Sequence, residues 1–176
     1  MKVARASSLL LAALCLAACG TTQSTVFSTI GESIGESSAP GLTLRSVQVE
    51  PVEREEAAIA MAFDADEAAA LAVEVPDDLD FATDALVCVY LGERPTAGWG
   101  LDLQTASLVD GELRILGRET RPRGTVEQVV TYPAGCGVLN RDALPAGELA
   151  VRADDTISEE FIVAGDVMVP DAEAAP

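Results

Sequence analysis

The chain contains no histidine and, apart from Lys2, no lysine. Histidine is the commonest general base and metal ligand, so its absence removes the usual Ser-His-Asp and Cys-His catalytic arrangements. Seven aromatic residues in 176 are few for a carbohydrate-binding platform. Twenty-nine acidic residues against eleven basic ones give a formal net charge of −18, which argues against a nucleic-acid-binding surface. We therefore do not expect an enzyme. The acidic surface fits either simple solubility or an acidic binding face.

The sequence also lacks a long apolar run. Leu9–Ala18 is a ten-residue apolar run behind the positively charged start Met1–Arg5. A membrane-spanning helix needs roughly 20 apolar residues, so this run is too short to remain in a bilayer. A charged start, a short apolar core and small residues before a cut site indicate an export signal.

The end of this run, Leu16-Ala17-Ala18-Cys19-Gly20, resembles the lipobox of bacterial lipoproteins. The resemblance implies cleavage after Ala18 and lipidation of Cys19, which would become the first residue of the mature protein. The protein would then be exported and lipid-anchored in the bacterial cell envelope, at the outer membrane, the periplasmic face or the cell surface. The alternative is an ordinary secretory signal in which Cys19 is incidental.

Composition divides the chain into four parts. Residues 1–18 are the predicted signal peptide, and 19–41 form the lipidated N-terminus with a flexible Ser/Thr/Gly-rich linker. Residues 42–170 are the predicted folded domain, and 171–176 form an Ala/acid/Pro tail that we expect to be disordered.

Two cysteines remain for the folded domain once Cys15 leaves with the signal and Cys19 carries lipid. Cys88 and Cys136 form either a disulfide in an oxidising compartment or two unpaired, buried thiols. A bridge across a loop near fifty residues long would stabilise the fold by about 4 kcal/mol.

No cofactor and no metal are expected. Two cysteines without histidine are too few for a structural zinc site. The acidic motifs Asp64-x-Asp66-Glu67 and Asp77-Asp78-x-Asp80 carry oxygen ligands suited to calcium, but they lack the spacing of an EF-hand loop.

The folded domain is dominated by short apolar or alternating segments separated by Gly and Pro. They lie at 42–49, 58–63, 71–75, 86–91, 99–103, 107–109, 113–116, 126–132, 148–152 and 161–163. Asp110-Gly111 predicts a two-residue hairpin turn, and 86–91 is apolar on both faces, as in a central strand. Only 65–72 has a helical tendency. We predict an all-β fold, a single antiparallel β-sandwich or partly closed barrel of about eight or nine short strands.

The segment 92–100, GERPTAGWG, joins the most hydrophobic run to the next one. Its proline fixes φ, and its glycines permit conformations that other residues resist. One interpretation is a tight strand connection with Trp99 in the core, in register with Leu101. The other is a stiff loop that presents Arg94, Thr96 and Trp99 to a partner, because Arg and Trp are favoured interface anchors.

This segment resembles the strand–Gly-x-Arg-Pro-Thr-Gly-Gly-Tyr–strand motif of the PrcB family C-terminal domain, found in bacterial lipoproteins described as protease-complex subunits. The matching positions are Gly92, Arg94, Pro95, Thr96 and Gly98. Ala97 and Trp99 replace the family's glycine and tyrosine. Val129–Pro133 is similar to the family's second landmark, an apolar strand closing on Tyr-Pro, and the likeness spans about 84–152. The resemblance implies a partner-binding loop made of Arg94, Pro95, Thr96, Gly98 and Trp99.

The same loop is also similar to the Asn-Pro-Thr-Thr-Gly-aromatic loop of chagasin-like cysteine-protease inhibitors, which have an immunoglobulin-like sandwich. Arg94 stands where those inhibitors have asparagine.

These observations favour a non-enzymatic envelope lipoprotein that binds another exported protein, plausibly a protease, as complex subunit or inhibitor. The alternative is a structural or ligand-binding β-sandwich lipoprotein with no protease link. A hydrolase that uses only carboxylates is a third possibility among so many acidic residues.

Overall fold

The computed structural model describes residues 42–48, 52–71, 73 and 75–171. The strands in this part of the chain are β1 (Leu44–Val47), β2 (Ala58–Ala62), β3 (Asp84–Tyr90), β4 (Gly100–Val109), β5 (Glu112–Thr120), β6 (Ala134–Asn140), β7 (Gly147–Asp155) and β8 (Phe161–Val169). A short helix, α1, spans Ala65–Ala70, and a 3₁₀ turn spans Arg141–Ala143.

The predicted signal peptide, Cys19, the linker to residue 41 and residues 172–176 of the tail lie outside the described residues. Within the described ranges, no helix has the length and apolar character needed to cross a bilayer.

The strands form two four-stranded sheets, in the orders β1-β6-β3-β2 and β4-β5-β7-β8. The sheets face each other without closing into a barrel, so the all-β sandwich prediction is confirmed. Every ladder is antiparallel except β5–β7, which runs parallel. Parallel pairing requires a crossover connection, and here the chain passes through β6 in the opposite sheet between β5 and β7.

Strand β3 is buried on both faces, as its continuous apolar sequence predicts. One face contributes Ala85, Val87 and Val89 to the core between the sheets. The other face, with Leu86 and Cys88, is covered by a second apolar cluster that includes residues from β2, α1 and the chain that follows α1. An inner strand covered on both faces needs no polar side.

The Asp110-Gly111 turn joins β4 to β5 as predicted. Asp110 has φ 52° and Gly111 has φ 84°, and Val109 pairs with Glu112 across the turn. Positive φ at both central residues is the signature of a type I′ turn, whose twist matches that of the flanking strands.

The Cys88–Cys136 disulfide is present and joins β3 to β6. The two cysteines are directly opposite in the strand register, and both are almost fully buried. The disulfide prediction is thus confirmed over the alternative of two free thiols.

Two of the apolar segments predicted as strands are not strands in the structure. Residues 126–132 are not a strand: they make one isolated bridge, and Val129 and Val130 are 47% and 49% exposed. The described residues of 71–75 are not a strand either; Leu71 and Val73 instead lie in the cluster that covers β3. The apolar residues of 71–75 thus cover an existing strand, and residues 126–132 pair with the chain at Arg94 instead of adding a strand to a sheet.

The strand in this part of the chain is β6, which begins just after the predicted segment 126–132. Its sequence, AGCGVLN, is not typical of a strand. A Cβ on Gly135 would lie 2.7 Å from the carbonyl oxygen of Leu101 in β4. A Cβ on Gly137 would lie 2.6 Å from a methyl carbon of Leu44 in β1. The backbone contact therefore requires glycine at position 135, whereas at position 137 the Leu44 side chain would have to move to admit a Cβ.

Candidate functional site

The predicted loop lies where expected, between β3 and β4, and it is fixed at its first residue. Gly92 has φ 78°, and a Cβ there would lie within 3.0 Å of backbone atoms of Glu55, Glu56 and Ala57. The next residue, Glu93, donates its backbone N–H to the carbonyl of Glu55 at 3.0 Å. Only glycine fits this combination of positive φ and close backbone contact.

The 126–133 segment holds the other side of this loop. Arg94 and Thr131 exchange two backbone hydrogen bonds, of 2.8 and 2.9 Å. The Thr131 hydroxyl donates to the carbonyl of Thr96 at 3.0 Å, and Ala97 donates its N–H to the carbonyl of Glu127 at 3.0 Å. The residues that resemble the second family landmark therefore form a support for the loop rather than a strand.

The structure brings Arg94, Thr96 and Trp99 together. The indole N–H of Trp99 donates to the hydroxyl of Thr96 at 3.2 Å, and the Arg94 guanidinium carbon lies 5.2 Å from the Trp99 ring centroid. That distance is within cation–π range. Trp99 is half-buried. It is therefore neither fully in the core, as the first interpretation of the sequence had it, nor fully presented to a partner, as the second had it.

The two remaining residues of the predicted site take no direct part in this contact. Pro95 is exposed beside Arg94. Gly98 has φ 88°, and a Cβ there would lie 3.2 Å from the Cβ of Pro122. Gly98 thus packs against the chain that follows β5.

Beside the loop lies a cleft of about 270 Å³ that sequence reasoning did not foresee. Arg94 and Trp99 line one side, and Arg121, Glu160 and Phe161 line the other. Arg121 directly follows β5, Glu160 directly precedes β8, and Phe161 is the first residue of β8. A sequence signal existed for Arg121 alone: residues 118–123, RETRPR, concentrate three arginines in a strongly acidic chain.

Arg121 is held by two carboxylates of unlike exposure. It donates to Glu119 at 2.9 Å and to Glu160 at 2.7 Å. The Glu119 side chain is 8% exposed, whereas that of Glu160 is 61% exposed. The Arg121 guanidinium holds the pKa of Glu160 below its ordinary value, and Glu160 and Glu119 together raise the pKa of Arg121.

A buried carboxylate, Asp155, organises the turn beneath this cleft. It accepts hydrogen bonds from the N–H of Glu119 at 2.9 Å and from the N–H and hydroxyl of Ser158 at 2.8 and 2.7 Å. These hydrogen bonds lower the pKa of Asp155 to about 2, and the bond from the Glu119 N–H has the largest effect. Sequence reasoning did not single out Asp155, because one acid among twenty-nine carries no local signal.

Carboxylates lie near Tyr132, next to the segment that supports the loop. Partial burial raises the pKa of Tyr132, and the nearby carboxylates of Glu93, Glu53 and Glu55 raise it further. The surroundings of the loop therefore include both the carboxylates near Tyr132 and a cleft that contains two arginines.

The acidic motifs considered for calcium have local structural roles. Asp64 caps α1 by accepting the N–H of Glu67 at 2.7 Å, and Glu67 accepts the N–H of Phe63 at 2.7 Å, close to a capping box. Asp80 accepts the N–H of Ala82 at 3.0 Å. In the part of the chain that the structure describes, no three acidic, Cys or His residues are grouped as metal ligands.

Comparison with known proteins finds no matching family model, no matching curated protein and no matching solved structure. The PrcB-like identification stays a prediction from the loop motif.

Proposed function

We propose that this protein is a non-enzymatic, membrane-anchored envelope lipoprotein that binds another exported protein through the 92–99 loop. The observation that carries the proposal is the loop's rigidity. It is fixed by backbone contacts to Glu55 on one side and Thr131 on the other, and it presents Arg94 beside Trp99. A preorganised loop binds a partner at a smaller entropic cost than a mobile one.

The residues around the loop favour contact with another protein. Arg and Trp are enriched among the residues that dominate interface energies. Val129 and Val130 lie on the segment that supports the loop, and both are about half exposed. Phe161, which lines the cleft, is 57% exposed. These exposed apolar side chains lie on the segment that supports the loop or line the cleft beside it, and exposed apolar patches are typical of interaction sites.

The kind of partner rests on the resemblance to the PrcB family. The five matching positions from Gly92 to Gly98 support an exported protease as partner, which this protein would join as complex subunit or inhibitor. The rigid turn at Pro95-Thr96, in which Pro95 is exposed, is compatible with either role.

Membrane anchoring is tested at Cys19. In a bacterial host, the full chain is expected to carry acyl chains and to sediment with membranes, whereas Cys19→Ser is expected to lose the acyl mass and become soluble. Mass spectrometry of the N-terminal peptide and fractionation measure both. Cys15→Ser is the matched control, because that residue would be removed with the signal peptide. A wild-type protein without acyl mass would show that the leader is an ordinary secretory signal.

Partner binding is tested at the loop. The full chain, purified in mild detergent, is used to capture proteins from envelope extract, beside Arg94→Ala/Thr96→Ala. This variant removes both the cation–π contact and the Trp99 hydrogen bond, so we expect at least ten-fold less captured partner, about 1.4 kcal/mol. Mass spectrometry identifies and quantifies the captured proteins.

The matched control is Arg114→Ala/Thr105→Ala, which removes the same two side chains from exposed positions on β5 and β4. The Arg114–Glu112 pair is solvent-exposed, so its loss should barely affect stability. Envelope proteins retained equally by both double variants would contradict the loop assignment and favour the structural or ligand-binding alternative.

A further inference from the structure

The arginines are distributed unevenly over the described surface. Arg94, Arg118, Arg121 and Arg123, four of the chain's eleven basic residues, line two adjoining hollows beside the loop. The first is the cleft of about 270 Å³, and the second has a volume of about 470 Å³. Arg121 and Glu119 line both hollows, and together the hollows are called the arginine groove.

The charge of the arginine groove is opposite to that of the whole protein. Its four arginines face two lining carboxylates, Glu119 and Glu160, in a chain whose net charge is −18. The carboxylate of Asp155, which accepts the N–H groups of Glu119 and Ser158, adds a third negative charge close by, so the four arginines still outnumber the carboxylates by one. A concave positive site in a negative surface selects for an anionic group on the ligand.

Apolar side chains lie at both ends of the groove. Trp99 and Phe161 line the first hollow, and Pro122, Val126 and Ile157 line the second. Phe161 and Ile157 are 57% and 66% exposed. An occupant that matches this arrangement has a negatively charged centre flanked by apolar groups.

Arg121 makes two ion pairs within the arginine groove, and a ligand could replace one of them. Its bond to Glu119 joins a nearly buried carboxylate, whereas its bond to Glu160 joins one that is well exposed. An incoming carboxylate can take the place of Glu160 while Glu119 keeps Arg121 in position. Exchange between two exposed carboxylates has a small energetic cost, because surface ion pairs contribute little.

We propose that the arginine groove binds an extended acidic segment of the partner protein, with its carboxylates at Arg118, Arg121 and Arg123 and its apolar side chains at the two ends; this inference rests on the proposed function. An anionic membrane surface is a poorer occupant, since it would face the chain's net negative charge at short range, whereas an extended segment enters only the groove.

The test uses fluorescent peptides and the full chain in mild detergent, with fluorescence anisotropy as readout. The probes are the peptide Gly-Phe-Asp-Glu-Val-Gly, its amide analogue Gly-Phe-Asn-Gln-Val-Gly and its basic analogue Gly-Phe-Lys-Lys-Val-Gly. We expect the acidic peptide to bind most tightly and to weaken as salt rises from about 0.15 to about 0.5 M, because the contacts are between exposed charges.

Three variants test the assignment. Arg118→Gln/Arg123→Gln is expected to weaken acidic-peptide binding about ten-fold. Arg45→Gln/Arg114→Gln, which removes the same charge from exposed positions outside the groove, should leave binding within about two-fold. Glu160→Gln should strengthen binding about three-fold, because it removes the competing carboxylate from Arg121. A purely structural role for these residues predicts no such gain.

The proposal is overturned if no peptide binds, if the amide or basic peptide binds as well as the acidic one, or if both double variants weaken binding equally. Binding of phosphatidylglycerol vesicles that is lost in Arg118→Gln/Arg123→Gln would also overturn it, in favour of a lipid surface. In envelope capture, a partner lost by Arg94→Ala/Thr96→Ala but retained by Arg118→Gln/Arg123→Gln would reject the acidic segment and leave the proposed function standing.

Discussion

The double variant Cys88→Ala/Cys136→Ala is expected to lose about 4 kcal/mol of unfolding free energy. The bridge closes a loop with a sequence separation of 48 residues, and the cross-link lowers the entropy of the unfolded chain. It also joins β3 to β6, and β6 begins directly after the 126–133 segment that supports the candidate loop. Losing the bridge should therefore loosen the support of the loop as well as lower the overall stability.

Urea unfolding of the full chain, followed by tryptophan fluorescence, measures this loss. Because Trp99 is the only tryptophan and lies in the candidate loop, it also reports whether the loop unfolds with the rest. Reduction of the wild type provides the control, since reduced wild type and the double variant should have similar midpoints. Intact mass should fall by about two hydrogens in the oxidised protein. A loss below about 1 kcal/mol would contradict the cross-link argument.

The features that the sequence predicted well have local signals. The Asp110-Gly111 turn needs two residues that tolerate positive φ, and those two residues are visible in the sequence. The buried strand β3 is a continuous apolar run, and the Cys88–Cys136 pairing is the single connectivity open to the two cysteines of the domain. In each case a few adjacent residues, or a simple count, determine the structure.

The features that it predicted poorly depend on distant contacts. Strand β6 has glycine where Leu101 and Leu44 approach, so its low strand propensity reflects packing that only the folded chain reveals. The 126–132 segment has the composition of a strand, but its backbone is occupied by the loop at Arg94 and Thr131. The parallel β5–β7 pairing likewise follows from the passage of the chain through the other sheet.

The candidate site likewise has one part with a local sequence signal and one part that depends on distant contacts. Its loop was predicted from one short motif, because Gly92, Pro95 and Gly98 are conformationally distinctive. The cleft beside it depends on Arg121 at the end of β5 and on Glu160 and Phe161 at the start of β8, which no sequence pattern links. A motif can thus identify one wall of a site, while the opposite wall is determined by the sheet topology.

The second large expected effect concerns Asp155, the carboxylate beneath the cleft. Asp155→Ala is expected to lower the unfolding free energy by about 3 kcal/mol, because it leaves the N–H groups of Glu119 and Ser158 without their acceptor. The same change frees the turn that carries Glu160, so the Arg121–Glu160 contact should weaken as well. Asp155→Asn preserves the shape and one acceptor oxygen and should lose about half as much.

The pH dependence of the unfolding free energy distinguishes the effect of the Asp155 charge from the effect of its side-chain shape. Its pKa is lowered from 3.8 to about 2 in the folded protein, so the folded state favours the ionised form. The resulting stabilisation is complete above about pH 4 and is lost as the pH falls towards 2. The difference in unfolding free energy between wild type and Asp155→Asn should therefore shrink across that window.

Urea unfolding at successive pH values measures this difference. Glu148→Gln, an exposed carboxyl on the same strand, is the control and should stay within about 0.5 kcal/mol of wild type throughout. If the gap between wild type and Asp155→Asn stayed constant from pH 5 down to pH 2, the ionised carboxylate would not be what holds the turn. The turn, and with it the wall of the cleft at Glu160 and Phe161, would then depend on packing rather than on this buried charge.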